Sequence, residues 1–322
     1  VRTLRDRKMG VIYITHRLEE LRSVGDRVTI LRDGETVHTG PLGELSMDRL
    51  IQYMVGREFT SIYRRDPLPP GEEVLKVEGL TRHPVLKDVS FSLHAGEIVG
   101  LAGLIGAGRT DVGLAVFGIE PATSGTILID GKPVTIRSPR DGMNLGIAYV
   151  SEDRRQLGLV LPMSIFANIT LPVLRRYLNR FGLVRTSLER RTADAFGAKL
   201  AIRPLLVDLE VAKLSGGNQQ KVMLSKWLNT NPSILILDEP TRGVDVGSKA
   251  EVHAIIGQLA AEGIGVIVIS SDLPEVLVLG DRVLVMREGR QMAILDRAQA
   301  NQETVMAAAM GQSLAESLRS ES

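Results

Sequence analysis

Short apolar segments, separated by glycine-rich and polar stretches, dominate the hydrophobic pattern of the chain. Alternating apolar positions at 74–77 and 89–93 predict half-buried strands. Short segments at 96–102, 233–237 and 265–269 are mostly apolar and contain β-branched residues, as is typical of strands buried on both faces of a parallel sheet. Helical patterns follow several of these runs. The pattern therefore predicts an α/β protein.

One part of the chain occurs twice. Residues 10–34 match residues 265–289, with a constant offset of 255 positions from Gly10 to Gly265 and from Gly34 to Gly289. A repeat at this spacing suggests two domain-sized copies, of which the first is represented only by its end. The alternative is a small independent N-terminal domain, although so short a piece seldom buries enough surface alone.

The repeat leads to a division of the chain into four parts. We expect residues 1–58 to be the C-terminal tail of a first domain that enters a strand-like run at 10–14. Residues 59–73 contain a proline-rich break and are expected to form a linker. Residues 74–311 are expected to be a complete second domain, and residues 312–322 a polar tail.

A glycine-rich turn joins the run at 96–102 to a helical pattern, in the order Gly103, Leu104, Ile105, Gly106, Ala107, Gly108, Arg109, Thr110. Glycines let backbone N–H groups turn toward phosphate oxygens, and a helix N-terminus adds partial positive charge. Thr110 is placed to ligate Mg²⁺. Arg109 stands where a phosphate loop has lysine, and its guanidinium is larger and more directional. A glycine-rich turn without a ligand is the alternative.

Two later segments add chemistry to this turn. Ser215, Gly216 and Gly217 begin a predicted helix with Ser215 as its N-cap, so a plain capped helix is one reading. Paired glycines weaken a helix start, which favours close approach of a ligand to the backbone. Asp238 and Glu239 end a buried run. Asp238 is expected to hold Mg²⁺ through water, and Glu239 to orient and activate an attacking water.

Composition narrows the class of protein. The chain has 39 Lys and Arg against 38 Asp and Glu, so its net charge of +1 indicates no nucleic-acid partner. It has no cysteine, which excludes disulfides, cysteine zinc sites and thiol catalysis. No apolar run approaches the roughly 18 residues of a membrane-spanning helix. Membrane association is therefore expected to come through a partner.

Together these segments resemble the ATP-binding cassette superfamily over residues 74–311, and more closely the double-cassette ATPases of bacterial monosaccharide importers of the ribose, galactose and xylose type. The motifs that carry the closer likeness lie at 106–110, 150–154, 216–221 and 240–247. The resemblance implies a P-loop NTPase-type parallel sheet core with an antiparallel β subdomain and an α-helical subdomain. It places the helical subdomain at about 158–213, facing a permease.

Further roles follow from the resemblance. Asp245 matches the aspartate that bridges two cassettes, and Glu152 stands where most cassettes have a glutamine that senses Mg²⁺. Ser271 occupies the switch position that His16 holds in the first copy. The resemblance thus implies Glu239 and His16 as catalytic residues and Thr110, Asp238 and Glu152 as metal residues. The nucleotide would contact Gly103, Gly106, Ala107, Gly108, Arg109, Thr110, Asp111, Ser215, Gly216, Gly217, Asp245 and Ser271.

The resemblance also implies two unequal sites, because such cassettes dimerise head to tail. Ser215 would close the site of His16, whereas Arg109 and Ser271 share the other site, which is expected to bind ATP and Mg²⁺ more than to hydrolyse it. This chain alone should hydrolyse ATP poorly. The implied partners are the missing first cassette, integral-membrane permease subunits on the cytoplasmic face and, indirectly, a periplasmic or extracellular sugar-binding protein, without nucleic acid.

The competing interpretation is a soluble tandem-cassette ATPase of the regulatory or translation type. The short linker and the absence of cysteine modules favour the transporter.

Overall fold

The computed structural model describes residues 1–15, 21, 23–32, 34–46, 49–50, 53 and 69–312. His16, most of the expected linker and residues 313–322 lie outside this part of the chain. Across the described helices, no stretch has the length and apolar character needed to cross a membrane.

Strands and helices alternate along most of the described chain. The strands are β1 (Arg27–Arg32), β2 (Glu35–Pro41), β3 (Glu73–Arg82), β4 (Leu86–His94), β5 (Ile98–Gly103), β6 (Ser124–Ile129), β7 (Lys132–Val134), β8 (Ile147–Val150), β9 (Ile234–Asp238), β10 (Gly265–Ile269), β11 (Arg282–Arg287) and β12 (Arg290–Asp296). The helices are α1 (Arg2–Asp6), α2 (Arg109–Phe117), α3 (Pro139–Asn144), α4 (Ile165–Thr170), α5 (Thr186–Lys199), α6 (Gly216–Leu228), α7 (Val246–Ala261), α8 (Leu273–Leu279) and α9 (Gln302–Met310).

The central sheet has six strands in the order β12-β11-β5-β10-β9-β8. All neighbours pair in parallel except β12, which runs antiparallel to β11. In β9, Ile234 and Ile236 join one apolar cluster while Leu235 and Leu237 join another on the opposite face. This two-sided burial explains why the run is uninterrupted in sequence.

An antiparallel sheet with strand order β4-β3-β6-β7 covers one face. Its apolar residues, among them Leu75 and Leu93, pack with Phe117 of α2 and with the central sheet in one cluster. On the other face, α4 and α5, which fall in the predicted helical subdomain, contact each other and α6, which follows that subdomain in sequence. The predicted fold class, a parallel α/β core with an antiparallel sheet and helices, is confirmed.

Within the N-terminal residues, β1 and β2 form an antiparallel hairpin. It has the register of the β11–β12 hairpin, and each hairpin has a bulge at the equivalent place, between Ile30 and Leu31 in the first and between Val285 and Met286 in the second.

The strand expected at 10–14 does not form. Ile12 and Ile14 are 93% and 92% exposed, whereas the matching β10 lies buried between β5 and β9. The physical reason is that, in the described residues, no strand pairs with this segment to satisfy its backbone.

Candidate functional site

The glycine-rich turn lies between β5 and α2, at the carboxyl edge of the central sheet. A Cβ on Gly103 would stand 2.3 Å from the carbonyl oxygen of Met286, so close packing requires glycine there. Gly106 has a φ of +80° and faces open space. Gly108 is the N-cap of α2, and no side chain caps that helix within the described chain. The first amides of α2 are therefore available to an anion.

Arg109 extends from the first turn of α2 toward the end of β10. Its guanidinium donates through Nη1 to the carbonyl oxygen of Ser270 at 2.6 Å. Burial lowers the pKa of Arg109, and the nearby Glu239 and Asp238 act in the opposite direction. The arginine is thus anchored to the backbone next to the switch position, in addition to lying beside the phosphate loop.

Thr110, Asp238 and Tyr149 meet where α2, β9 and β8 converge. The Thr110 hydroxyl donates to Asp238 Oδ1 at 3.2 Å, and the Tyr149 hydroxyl donates to Asp238 Oδ2 at 2.7 Å. Asp238 is 1% exposed. Burial raises its pKa, while the hydrogen bonds from Tyr149 and Thr110 oppose that change. The pairing of a hydroxyl and a carboxylate is the hard oxygen chemistry that suits Mg²⁺.

Glu239 follows directly after β9 and adopts a φ of +49°. Ser271 binds both of its carboxylate oxygens, its backbone N–H donating at 2.6 Å and its hydroxyl at 3.0 Å. Burial raises the pKa of Glu239, whereas the two hydrogen bonds from Ser271 lower it. The switch-position serine therefore holds the candidate base, a relationship that the sequence did not predict.

Two predicted site residues have other ionic partners. Glu152 forms an ion pair with Arg242. Among the described residues no contact joins it to Thr110 or Asp238, so its metal role stays a prediction. The Asp111 carboxylate accepts from Arg82 at 3.0 Å, which directs it to the antiparallel sheet.

The segment at 215–217 begins α6, and Ser215 is its N-cap as predicted, its hydroxyl accepting from the N–H of Asn218. The paired glycines have a reason within the protein itself. A Cβ on Gly217 would lie 2.4 Å from Ser248 Oγ, and one on Gly216 would lie 2.8 Å from the Arg154 guanidinium. Close helix packing thus restricts both positions to glycine, and their contact with a nucleotide stays a prediction.

Asp245 is the exposed N-cap of α7. It accepts from the N–H of Ser248 at 3.0 Å and from its hydroxyl at 2.7 Å. Burial raises the pKa of Asp245, but these hydrogen bonds outweigh it and hold the pKa below the usual value. Because Ser248 also packs against Gly217, Asp245 and the start of α6 belong to one surface.

Arg154 ties this surface to β8. Its guanidinium donates to the carbonyl oxygens of Arg242 at 2.7 Å and Gly243 at 2.9 Å. The segment that follows Glu239 is therefore fixed to the loop that contains Glu152.

A buried polar cluster next to the candidate site was not predicted from the sequence. Glu275 accepts from Ser270 Oγ at 2.5 Å and from Thr241 Oγ1 at 2.8 Å, and lies 2.5 Å from His253 Nε2. Burial raises the pKa of Glu275, but the bond from His253 leads the effects that lower it below its usual value. The cluster links the residue before Ser271 to the segment after Glu239. The sequence signal for this cluster is limited to polar residues that interrupt apolar segments.

The structure thus brings most predicted site residues together in two groups. The first contains the glycine-rich turn, Arg109, Thr110, Asp238, Glu239 and Ser271. The second contains Ser215, Gly216, Gly217 and Asp245. Within the part of the chain that the structure describes, no hydrogen bond or ion pair joins the first group to the second, and His16 lies outside that part.

Comparison with known proteins agrees with this geometry. Residues 86–242 match the family described as ABC transporter. A ribose import ATP-binding protein from Streptomyces coelicolor is 51% identical over 315 residues, covering 98% of this chain and 62% of that protein. Another ribose import ATP-binding protein, from Geobacillus kaustophilus, is 48% identical over 309 residues, covering 96% of this chain and 62% of that protein. The chain thus spans less than two thirds of the length of these relatives.

A solved structure shares the fold. The protein cbiO1 from Clostridium perfringens, described as part of an ABC transporter complex, superposes with a TM-score of 0.62 at 25% identity and covers 77% of this chain and 100% of that one.

Proposed function

We propose, from the premise that residues 86–242 form an ABC transporter ATP-binding domain, that this chain binds ATP with Mg²⁺ and supplies an ATPase site to a larger importer. One observation carries the proposal. Helix α2 follows the glycine-rich turn, and no side chain caps its first amides within the described chain. Thr110, Asp238 and Glu239 lie next to these amides and are the groups that phosphoryl transfer to water requires.

Each group has a separate task. The first amides of α2 bind phosphate oxygens, and the guanidinium of Arg109 adds positive charge there. Thr110 and Asp238 would hold Mg²⁺, which when bound neutralises phosphate charge. Glu239 orients the water that attacks the γ-phosphate, and its raised pKa makes it a better proton acceptor than an ordinary glutamate.

The test for hydrolysis is Glu239→Gln in the whole protein. We expect ATP binding to persist and the part of the turnover that this site supplies to fall by about 100-fold. Thr110→Ser, which keeps the hydroxyl, serves as the matched control. No loss in the part of the turnover that this site supplies would remove Glu239 from the mechanism.

The larger function that we propose is sugar import. Support comes from the ribose import proteins, which match at about half identity along nearly the whole chain. The whole protein would act at the cytoplasmic face of the membrane with permease subunits, and a sugar-binding protein would deliver the sugar. Uptake of labelled ribose by vesicles that contain the whole protein and its permease tests this. Uptake that is unaffected by omitting ATP would contradict it.

Residues 1–58 are proposed to be the tail of a first cassette, with 59–73 as linker and 74–311 as the second cassette. The shared register and bulge of the β1–β2 and β11–β12 hairpins support this proposal. So does the exposed apolar segment at 10–14, whose counterpart β10 is the strand between the phosphate loop strand and the Asp238 strand. Limited proteolysis of the whole protein should cut first within 59–73.

The site of Arg109 is proposed to be the weaker of two sites. Two contacts support this: Arg109 is drawn to Ser270, and Ser271 binds both oxygens of Glu239, so the carboxylate must release a donor before it activates water. The stronger site would use His16 and would be closed by Ser215. In the whole protein, Ser215→Arg should therefore abolish turnover more completely than Arg109→Ala. The reverse order would exchange the roles of the two sites.

A further inference from the structure

Arginine is concentrated in one segment of the chain, although the chain as a whole has almost no net charge. Residues 175–191 contain six arginines and one acidic residue, against a net charge of +1 for the entire chain. All six arginines are exposed. The one acid, Glu189, is buried and accepts a hydrogen bond from Thr170 at 2.6 Å. Within residues 175–191, therefore, no exposed carboxylate offsets these arginines.

A tight hairpin displays part of this charge. The N–H of Arg185 donates to the carbonyl oxygen of Tyr177 at 2.8 Å, and Leu178 pairs with Val184. At the tip, Asn179 Oδ1 accepts from the backbone N–H groups of residues 181 and 183 at 2.8 and 3.0 Å. The turn is thus held by its own hydrogen bonds. We name residues 175–185 the arginine hairpin.

The tip of the arginine hairpin is apolar and exposed. Phe181 is 73% and Leu183 65% exposed, and Arg180 lies 4.6 Å above the Phe181 ring. Leu178 and Val184 extend the same apolar surface at the base of the tip. Exposed aromatic and aliphatic side chains bordered by guanidinium groups are the combination that enters the headgroup boundary of a bilayer.

Five of the six arginines divide into two groups by their contacts, and the sixth, Arg180, lies over the Phe181 ring. Arg176 donates to the carbonyl oxygen of Asn229 at 3.0 Å, and Arg190 pairs with Asp208, so both have structural partners. For Arg175, Arg185 and Arg191, no hydrogen bond or ion pair of the guanidinium occurs within the described part of the chain. These three are available to an external anion.

We propose that the arginine hairpin, together with Arg191, binds the surface of a membrane that contains anionic phospholipid. Its apolar tip enters the boundary region while the guanidinium groups pair with lipid phosphates. A nucleic acid would also attract the arginines, but it offers no apolar layer for Phe181 and Leu183. The proposal goes beyond ATP-driven import, because it requires neither nucleotide nor permease.

The experiment is sedimentation of the purified chain with lipid vesicles in the absence of nucleotide. We expect binding to vesicles with equal parts phosphatidylglycerol and phosphatidylcholine, little binding to phosphatidylcholine alone, and loss of binding in 1 M salt. One arginine near an anionic surface contributes about fivefold in partition. The triple variant Arg175→Gln, Arg185→Gln, Arg191→Gln should therefore bind about 100-fold more weakly, and Phe181→Ser about tenfold more weakly.

The control is Arg137→Gln with Arg140→Gln, two exposed arginines outside the helical subdomain, which should bind like the wild type. All variants are compared only after their urea midpoints match that of the wild type. Equal weakening in the control and the triple variant would overturn the proposal, as would equal binding to neutral vesicles. Preferred binding of single-stranded RNA that Phe181→Ser leaves unchanged would instead identify a nucleic-acid surface and also overturn it.

Discussion

Removing the Tyr149 hydroxyl tests how much its hydrogen bond to the buried Asp238 carboxylate contributes to stability. In Tyr149→Phe the ring stays stacked on Phe117, but Asp238 Oδ2 loses its 2.7 Å donor. A hydrogen bond to a charged group contributes about 1.5–3 kcal/mol. Both residues are almost fully buried, so we expect a loss of that size at neutral pH. For a chain of this length this corresponds to a fall in Tm of about 3–6 °C.

The pH dependence of the stability loss distinguishes this hydrogen bond from a packing contribution. The Tyr149 hydroxyl lowers the pKa of Asp238, so its contribution is present when Asp238 is ionised and diminishes as pH falls through the raised pKa of that carboxyl. The destabilisation in Tyr149→Phe should therefore shrink at acidic pH, and the acid limit for Mg²⁺-dependent ATP binding should move to higher pH.

Tyr177→Phe is the matched control for this experiment. The Tyr177 hydroxyl, also buried, donates to the neutral amide oxygen Asn229 Oδ1 at 3.1 Å. Its removal should cost about 1 kcal/mol regardless of pH. Urea denaturation of both variants between pH 5 and pH 8 gives the comparison. The reasoning is refuted if the two variants show the same pH-independent loss.

Two further substitutions separate packing from chemistry. Gly217→Ala brings a Cβ within 2.4 Å of Ser248 Oγ and should reduce the free energy of unfolding by about 1–3 kcal/mol. The control is Gly43→Ala, which has open space around it and should leave the free energy of unfolding almost unchanged in the same denaturation assay. Burial raises the pKa of Asp238, so its charged form destabilises the fold, and Asp238→Asn should raise Tm at neutral pH while abolishing Mg²⁺-dependent ATP binding. The control Asp194→Asn, at an exposed position, should do neither. A lower Tm for Asp238→Asn would contradict the burial argument.

The sequence predicted the parts of the molecule that local patterns determine. The apolar runs predicted β5, β9 and β10, because a strand buried on both faces needs no polar alternation. The turn between β5 and α2 and the N-cap Ser215 were also predicted, because each depends on residues adjacent in sequence. The local backbone of the candidate nucleotide site was predictable to that extent.

Contacts between distant segments were not predictable in the same way. Tyr149 lies 89 positions from Asp238, and Ser270 lies 161 positions from Arg109, so only the folded sheet brings these pairs together. The packing of the α6 glycines against Ser248 and Arg154 was likewise not predictable from the sequence. The segment 10–14 has the pattern of a strand, but no strand within the described residues pairs with it. Pattern alone does not reveal such partners.

The most direct test of the account is equilibrium binding of a fluorescent ATP analogue to the purified chain carrying Gly106→Asp. Gly106 faces open space at a φ of +80°, so a carboxylate there leaves the packing intact but repels phosphate. Gly131→Asp, at a φ of +71° and equally unobstructed, is the matched control. We expect Mg²⁺-dependent binding to be lost in Gly106→Asp and kept in Gly131→Asp. Equal binding by both variants would contradict the assignment of the nucleotide site.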